Sequence, residues 1–451
     1  MGLACQTSPG MPSPVAALPQ PESVARPDEA EQHAFDRRTE GYAAKCAAAW
    51  AESNTTAPGF GVTVCLAAKL EREQRADRYL DEVERILRQW PASPAKRDIW
   101  RRDLLHALRR IAGDYLGCDA EGLNRLFTAE ALEATRQFVR EAKAFAPAIT
   151  DESLFQALRN LWVTHSVQLF LRTPITLSPA IFAYSMLYPW TDNCLDDLRL
   201  ARAAKIAFGN WLALRLTGVK AVPPDAHSEQ VCRLVSVIER LYSRAEFPEV
   251  YLSLRAIHQA QMQSLDQQDA ARTWDEQALL KLSIAKGGTS VLTDACLVRG
   301  WLAEDEAEFM FAYGVLLQLM DDLQDLRDDL ANGHTTIFTR QTSLGPPLDG
   351  VTTRLWAFTR KVLWSFSRFP STQSCSLKSL IQDNLRHLLL QAVARNREFY
   401  TPDFVAALEA CSPVRFGYLA RQEKTLAGRY SRVSASIRQS RRIDSLFEML
   451  A

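Results

Sequence analysis

Aspartates gather at two places in this chain, Asp192-Asn193-Cys194-Leu195-Asp196-Asp197 and Asp321-Asp322-Leu323-Gln324-Asp325-Leu326-Arg327-Asp328-Asp329. Each group ends an otherwise apolar helical stretch, and the second follows Phe309 to Met320, twelve residues without a formal charge. Carboxylates beside buried helix are costly unless cations hold them. At about 3.6 residues per turn, Asp321, Asp325 and Asp329 recur along one stripe, which Gln318 and Gly314 continue, while Asp322 and Asp328 turn about 100° away. Asp192 and Asp196 stand in the same i, i+4 relation, with Asn193 and Asp197 beside them. Oxygen clusters of this kind suit magnesium, which commonly bridges one or two carboxylates to substrate phosphates. One cluster alone is equally an acidic, solvated helix end. Two, each following apolar helix, argue for metal ions and a diphosphate.

These residues resemble a known pattern. Gly314-x-x-Leu317-Gln318-x-x-Asp321-Asp322-x-x-Asp325, followed by Asp329 and Gly333, is similar to the second aspartate-rich motif of the class I isoprenoid synthases, the superfamily of prenyl diphosphate synthases and terpene cyclases. Asp192-Asn193-x-x-Asp196 resembles the first motif, with an amide where its second Asp would stand. Between them, Gln263-Ser264-Leu265-Asp266 is similar to the superfamily's Gln-x-x-Asp element, and Lys286-Gly287-Gly288-Thr289 to its lysine-containing helix break. Arg429-Tyr430 resembles the Arg-Tyr pair of many bacterial terpene cyclases. A basic helix surface shared with Arg421, Arg432, Arg438, Arg441 and Arg442 is the alternative there.

The resemblance implies an all-α fold, a helical bundle around a central active-site cavity. It implies three magnesium ions held by Asp192, Asp196, Asp321, Asp325 and Asp329. It also implies a prenyl diphosphate bound through Gln263, Lys286, Gln318 and Arg429, with Lys286, Arg429 and Tyr430 assisting ionisation. Aromatic faces would stabilise the cation left behind, with Trp190 and Phe311 as candidates beside Phe182, Tyr184, Tyr188 and Tyr313; taken singly, each ring is more readily explained by ordinary core packing. Gln318 would orient a metal-bound water or a carboxylate. Elongating synthases carry a Gly-Lys-x-x-Arg element upstream and paired arginines after the first motif; here only Lys96-Arg97, and the separated Arg199 and Arg202, stand in comparable places. The expected activity is therefore a magnesium-dependent terpene cyclase (a lyase) giving a hydrocarbon or alcohol. The alternatives are a chain-elongating prenyltransferase, a head-to-head condensing synthase, or an inactive helical partner subunit. A homodimer is common in the resembled superfamily.

Composition agrees with this reading. The chain has 451 residues, 47% of them hydrophobic, which is enough for a sizeable core. Lys plus Arg and Asp plus Glu balance at 53 each, which argues against a nucleic-acid surface. Nine Cys without paired spacing read as buried thiols rather than zinc ligands or disulfides. The uncharged run ending at Met320 falls short of the roughly 20 residues of a membrane span, so a cytoplasmic enzyme without stable membrane insertion is expected.

Positioning the aspartates requires long helices. Residues 1–35, rich in Pro, Ala and Ser, read as a disordered tail, 36–160 as an N-terminal helical extension, 161–440 as the catalytic bundle and 441–451 as a C-terminal tail. Loops are expected at Thr217 to His227, Asp266 to Trp274, Ala331 to Gly350 and Phe369 to Ser376, with Asn332 to Thr336 either a lid or a plain surface connection.

Overall fold

The structure, a computed structural model, describes residues 29–55, 59–91, 93–116, 128–197, 199–269, 272–365, 374–422 and 425. These residues are helical, with no strand among them. The chain enters as α1 (Glu29–Ala51), α2 (Leu66–Arg88), α3 (Arg97–Leu116) and α4 (Ala129–Phe145). It continues through α5 (Asp151–Phe170), α6 (Pro179–Asp196), α7 (Arg202–Leu216), α8 (Ala226–Leu241) and α9 (Pro248–Ser264) to α10 (Glu276–Arg299) and α11 (Glu304–Gln324). Then follow α12 (Leu326–Asn332), α13 (Ile337–Leu344), α14 (Asp349–Ser365), α15 (Ser374–Arg395) and α16 (Pro402–Cys411).

Local sequence sets the helix starts. Thr128, Thr150, Ser178, Asp225, Asp275 and Thr401 each accept a hydrogen bond of 2.6–3.3 Å from the N–H three residues on, satisfying a donor the first turn leaves free. In α6, Pro189 lacks the N–H that would bond Ser185, so the ladder is interrupted one turn before Asp192.

The central helix is α10. Buried residues such as Leu280, Ile284, Val291, Leu292 and Ala295 run around its circumference, and α1, α5, α6, α9 and α11 pack about it. Where α10 crosses α11, a Cβ on Gly314 would lie 2.1 Å from the carbonyl oxygen of Gly287, and one on Gly287 would lie 2.5 Å from that of Gly314. The two backbones meet where no side chain fits. The expected helix break at Lys286 to Thr289 is instead continuous helix: the glycines provide clearance for α11, not a bend.

The expected segment boundaries need amending. Helix begins at Glu29, inside the expected tail, because Phe35, Tyr42, Cys46 and Trp50 form a buried stripe. Tyr42 meets Phe311 and Trp50 meets Phe358, with ring centroids 5.8 Å apart in both pairs. The division at 160/161 falls inside α5, which belongs wholly to the bundle. Among the described residues, α2 and α3 form a hairpin with a small core of its own, Ile86, Trp90, Trp100, Leu104 and Ala107, while Ala76 of α2 joins the main core. Glu73 fastens this hairpin to the later chain through a two-pronged ion pair with Arg415, at 2.6 and 3.0 Å. The rest of the two last segments, from residue 426 on, lies outside the described residues.

The expected loop from Ala331 to Gly350 contains α13, started by Thr336 and Thr339, each of which accepts from the other's backbone N–H. Among the described cysteines, Cys46 and Cys296 are buried but Cys65 is exposed, so the expectation of buried thiols holds only in part. No helix among the described residues is long and apolar enough to cross a membrane.

Gly314→Ala should lower stability by about 1–3 kcal/mol, since the added methyl must push α10 and α11 apart. Chemical denaturation measures this; a parental midpoint would show that the crossing has slack.

Candidate active site

Both aspartate groups come to the mouth of one cavity of about 700 Å³. Asp192 and Asp196 reach it from the end of α6, and Asp321 and Asp322 from α11. Asp325 occupies the junction between α11 and α12, yet the i→i−4 bonds run on through it (Asp325 N to Asp321 O, 2.9 Å; Asp329 N to Asp325 O, 2.8 Å), so the aspartate stripe is preserved into α12. Lys286 rises from α10 between the two walls, half-buried and surrounded by Asp192, Asp196, Asp321 and Asp322. Burial pushes its ammonium pKa down, but these four carboxylates outweigh that and raise it.

The acids respond to the same crowding. Burial raises Asp192 to about 6, opposed by Lys286. Burial likewise raises Asp322 to about 6, although Ser283 and Gln318 donate to it at 2.8 and 2.7 Å. Asp325 is pushed up by burial and by Asp321. Asp329 reaches about 8, through burial and then its neighbours Asp322, Asp325 and Asp321.

Several neighbours were not evident from sequence. Arg159 of α5 pairs with Asp321 at 2.6 Å. Gln261 of α9 donates to Asp192, and Gln268, just beyond α9, donates to Asp196 at 3.2 Å. His334 lines the cavity, its pKa pushed by burial and then Lys286 to about 4, which keeps it neutral. A run of four glutamines between 261 and 268 signals amides near the site, but only packing selects among them.

Other expected residues stand elsewhere. Gln263 is exposed and points away from the cavity, because the buried face of α9 carries Gln261 instead. Asp266 is held outside the cavity between Arg202 and Arg272. Trp190, two positions and so about 200° from Asp192, faces outward, where it donates to Gln230 at 3.0 Å and packs on Phe145. Phe311 lies beyond the Gly287–Gly314 crossing, against Tyr42 and Gly288, and does not line the cavity. Phe182 packs on Phe138. Tyr188 and Tyr313 are the two rings from the expected set on the cavity wall. Asp322, expected to turn from the stripe, is buried behind it, and Gln318 orients it; Asp328 does turn outward, to Arg395. Asp197 is likewise turned outward, bonded to Arg199 at 2.8 Å. Arg429 and Tyr430 lie outside the described residues.

The expected lid segment is pinned. Thr335 N donates to Gln267 O at 2.9 Å, and the Gln267 amide returns a 2.8 Å bond to Thr335 O. Below the mouth the wall is largely apolar, with Val163, Val291, Leu317, Met320, Ile381 and Leu388 among its residues.

The donor set fits hard divalent cations. Six mouth carboxylates face two cationic side chains, Lys286 and Arg159, and burial, with repulsion between neighbouring acids behind it, raises the pKa of Asp192, Asp322 and Asp329. Among the described residues no three acidic, His or Cys side chains already converge on one point. Magnesium, which retains waters and takes only one or two carboxylates per ion, suits such separated pairs. No family model matches this chain, and neither does any curated protein.

Asp329 makes the mouth measurable by pH. An acid whose folded pKa is raised favours folding most below its unfolded value, near 4, and loses that contribution as pH rises through the folded value. In chelator, the melting temperature should therefore fall as pH rises from about 4 to about 8 and level off above that, and Asp329→Asn should reduce that fall. An identical fall in the variant would remove Asp329 from the crowded set.

Proposed function

We propose that this chain is a class I terpene synthase, ionising a linear prenyl diphosphate, releasing pyrophosphate and closing the resulting cation to a cyclic hydrocarbon or alcohol. The observation that carries this reading is the juxtaposition at one cavity mouth of two aspartate groups and Lys286, above a largely apolar wall.

Magnesium, held by Asp192 and Asp196 on one side and by Asp321, Asp325 and Asp329 on the other, would neutralise the leaving diphosphate. Lys286 presents an ammonium that no single carboxylate among the described residues engages as an ion pair, so its donors are free for phosphate oxygens. Arg159 is a second cation within reach of the mouth and would exchange Asp321 for phosphate. Gln261, Gln268 and Gln318 fix the orientation of Asp192, Asp196 and Asp322, so the carboxylates are organised before substrate arrives. The apolar wall excludes water from an allylic cation, and Tyr188 and Tyr313 offer it π faces.

Cyclisation is favoured over elongation by the arginines after the first motif. Arg199 is bonded to Asp197 and Arg202 to Asp266, both outside the cavity, and Arg97 stacks over Trp90 at 4.9 Å in the α2–α3 hairpin. None of them is free at the mouth for a second diphosphate.

Purified protein with magnesium should convert one of geranyl, farnesyl, geranylgeranyl or geranylfarnesyl diphosphate to a cyclic product without isopentenyl diphosphate, read by gas chromatography and mass spectrometry. Longer linear diphosphates, formed only with isopentenyl diphosphate, would replace this reading with elongation. Asp325→Asn should cut pyrophosphate release at least about 100-fold while leaving the melting temperature unchanged or higher, since it relieves like-charge crowding. Parental turnover in that variant would exclude Asp325 from the site.

A further inference from the structure

Lys286, Ser290 and Asp294 recur at i, i+4 and i+8 on α10, and all three line the cavity. At about 1.5 Å rise per residue, the backbone positions of Asp294 and Lys286 lie about 12 Å apart along α10, so Asp294 sits two turns further from the aspartate mouth. It is 2% exposed. Thr164 and Asn160 both donate to its Oδ1, at 2.8 and 3.2 Å, and Asn160 also bonds Ser185. Its Oδ2 is buried with no partner among the described residues.

That orphan oxygen is costly in either state. Ionised, it is an unpaired buried charge; protonated, it is a donor without an acceptor. Two donors on Oδ1 orient the carboxyl and leave Oδ2 as the one uncommitted atom of a residue that lines a largely apolar stretch of the cavity, together with Val163, Val291 and Leu388. A ligand that carries positive charge, or gives up a proton, at this depth would satisfy Oδ2.

We propose that Asp294 is the base that ends the reaction. The inference rests on the prenyl-cation reading above. Its Oδ2 takes a proton from the carbon beside the cationic centre, and the electron pair of that C–H bond becomes the new C=C bond of a neutral cyclic alkene. The proton then leaves to water or pyrophosphate as products depart, so the sum is prenyl diphosphate to alkene, pyrophosphate and one proton. Burial raises the carboxyl to about 7 against the pull of Thr164 and Asn160, which suits a group that accepts and returns a proton near neutrality.

The test is Asp294→Asn in the full chain, with circular dichroism, pyrophosphate release and product analysis measured together. The amide keeps an acceptor for Thr164 and Asn160 but has no basic oxygen. Expected is pyrophosphate release within about threefold of the parent, with the parental alkene reduced at least about tenfold in favour of acyclic, alternative or hydroxylated products. The parental alkene in unchanged proportion would overturn the proposal. So would loss of pyrophosphate release and product in parallel, which assigns Asp294 to ionisation. If the amide variant does not fold, Asp294→Leu, which fills the volume without a buried charge, carries the same expectation. A parent that releases no pyrophosphate from any prenyl diphosphate would instead sink the terpene synthase reading itself.

Discussion

The close crossing of α10 and α11 is the constraint on which the rest of the site depends. Gly287 and Gly314 let the two backbones touch, and that contact fixes how far Lys286 stands from Asp321 and Asp322. Any side chain at either glycine would widen the gap. Lys286 would then no longer sit among the carboxylates that raise its pKa, and the mouth would lose its central cation. The same crossing separates the cavity from the core beyond it, where Phe311 and Tyr42 pack.

Charge is distributed unequally along the cavity. At the mouth, six carboxylates outnumber two bases, and the pKa values of Asp192, Asp322, Asp325 and Asp329 rise because burial, and then repulsion from neighbouring acids, opposes ionisation. Below it the wall is largely apolar, with a few uncharged polar residues such as Ser290 and Asn384, and Asp294 is the one acid on it. A polar group is tolerated at a mouth because water and counter-ions reach it, whereas each polar atom deeper down must find a partner in protein or ligand. Asp294 finds partners for one oxygen only. The polarity of the chamber thus runs from a highly charged entrance to a single acid at depth, an arrangement that separates where a leaving group would be held from where a cation would end.

Helical periodicity made part of this legible. It placed Asp321, Asp325 and Asp329 on one stripe and Asp192 with Asp196, and those residues do reach the mouth. It also contained the answer for Trp190, whose position about 200° from Asp192 turns it outward; there the proximity in sequence misled. For Phe311 periodicity could not decide, because it lies on the Gln318 side of α11 but two turns further from the mouth, where α1 covers it. Gln263 and Gln261 were indistinguishable by residue type, and only the burial of one face of α9 selected Gln261.

The sequence by itself determined the helical class and the two aspartate stripes, because 3.6-residue periodicity is a local property that a few neighbouring residues express. Tertiary structure decided what those stripes face. Arg159 reaches Asp321 across 162 positions, Asn160 reaches Asp294 across 134, and α1 joins the core of a bundle it precedes by more than a hundred residues. No local pattern encodes such pairings, since they depend on which helix packs beside which and at what distance, and in this chain two glycines on different helices set the distance that matters most.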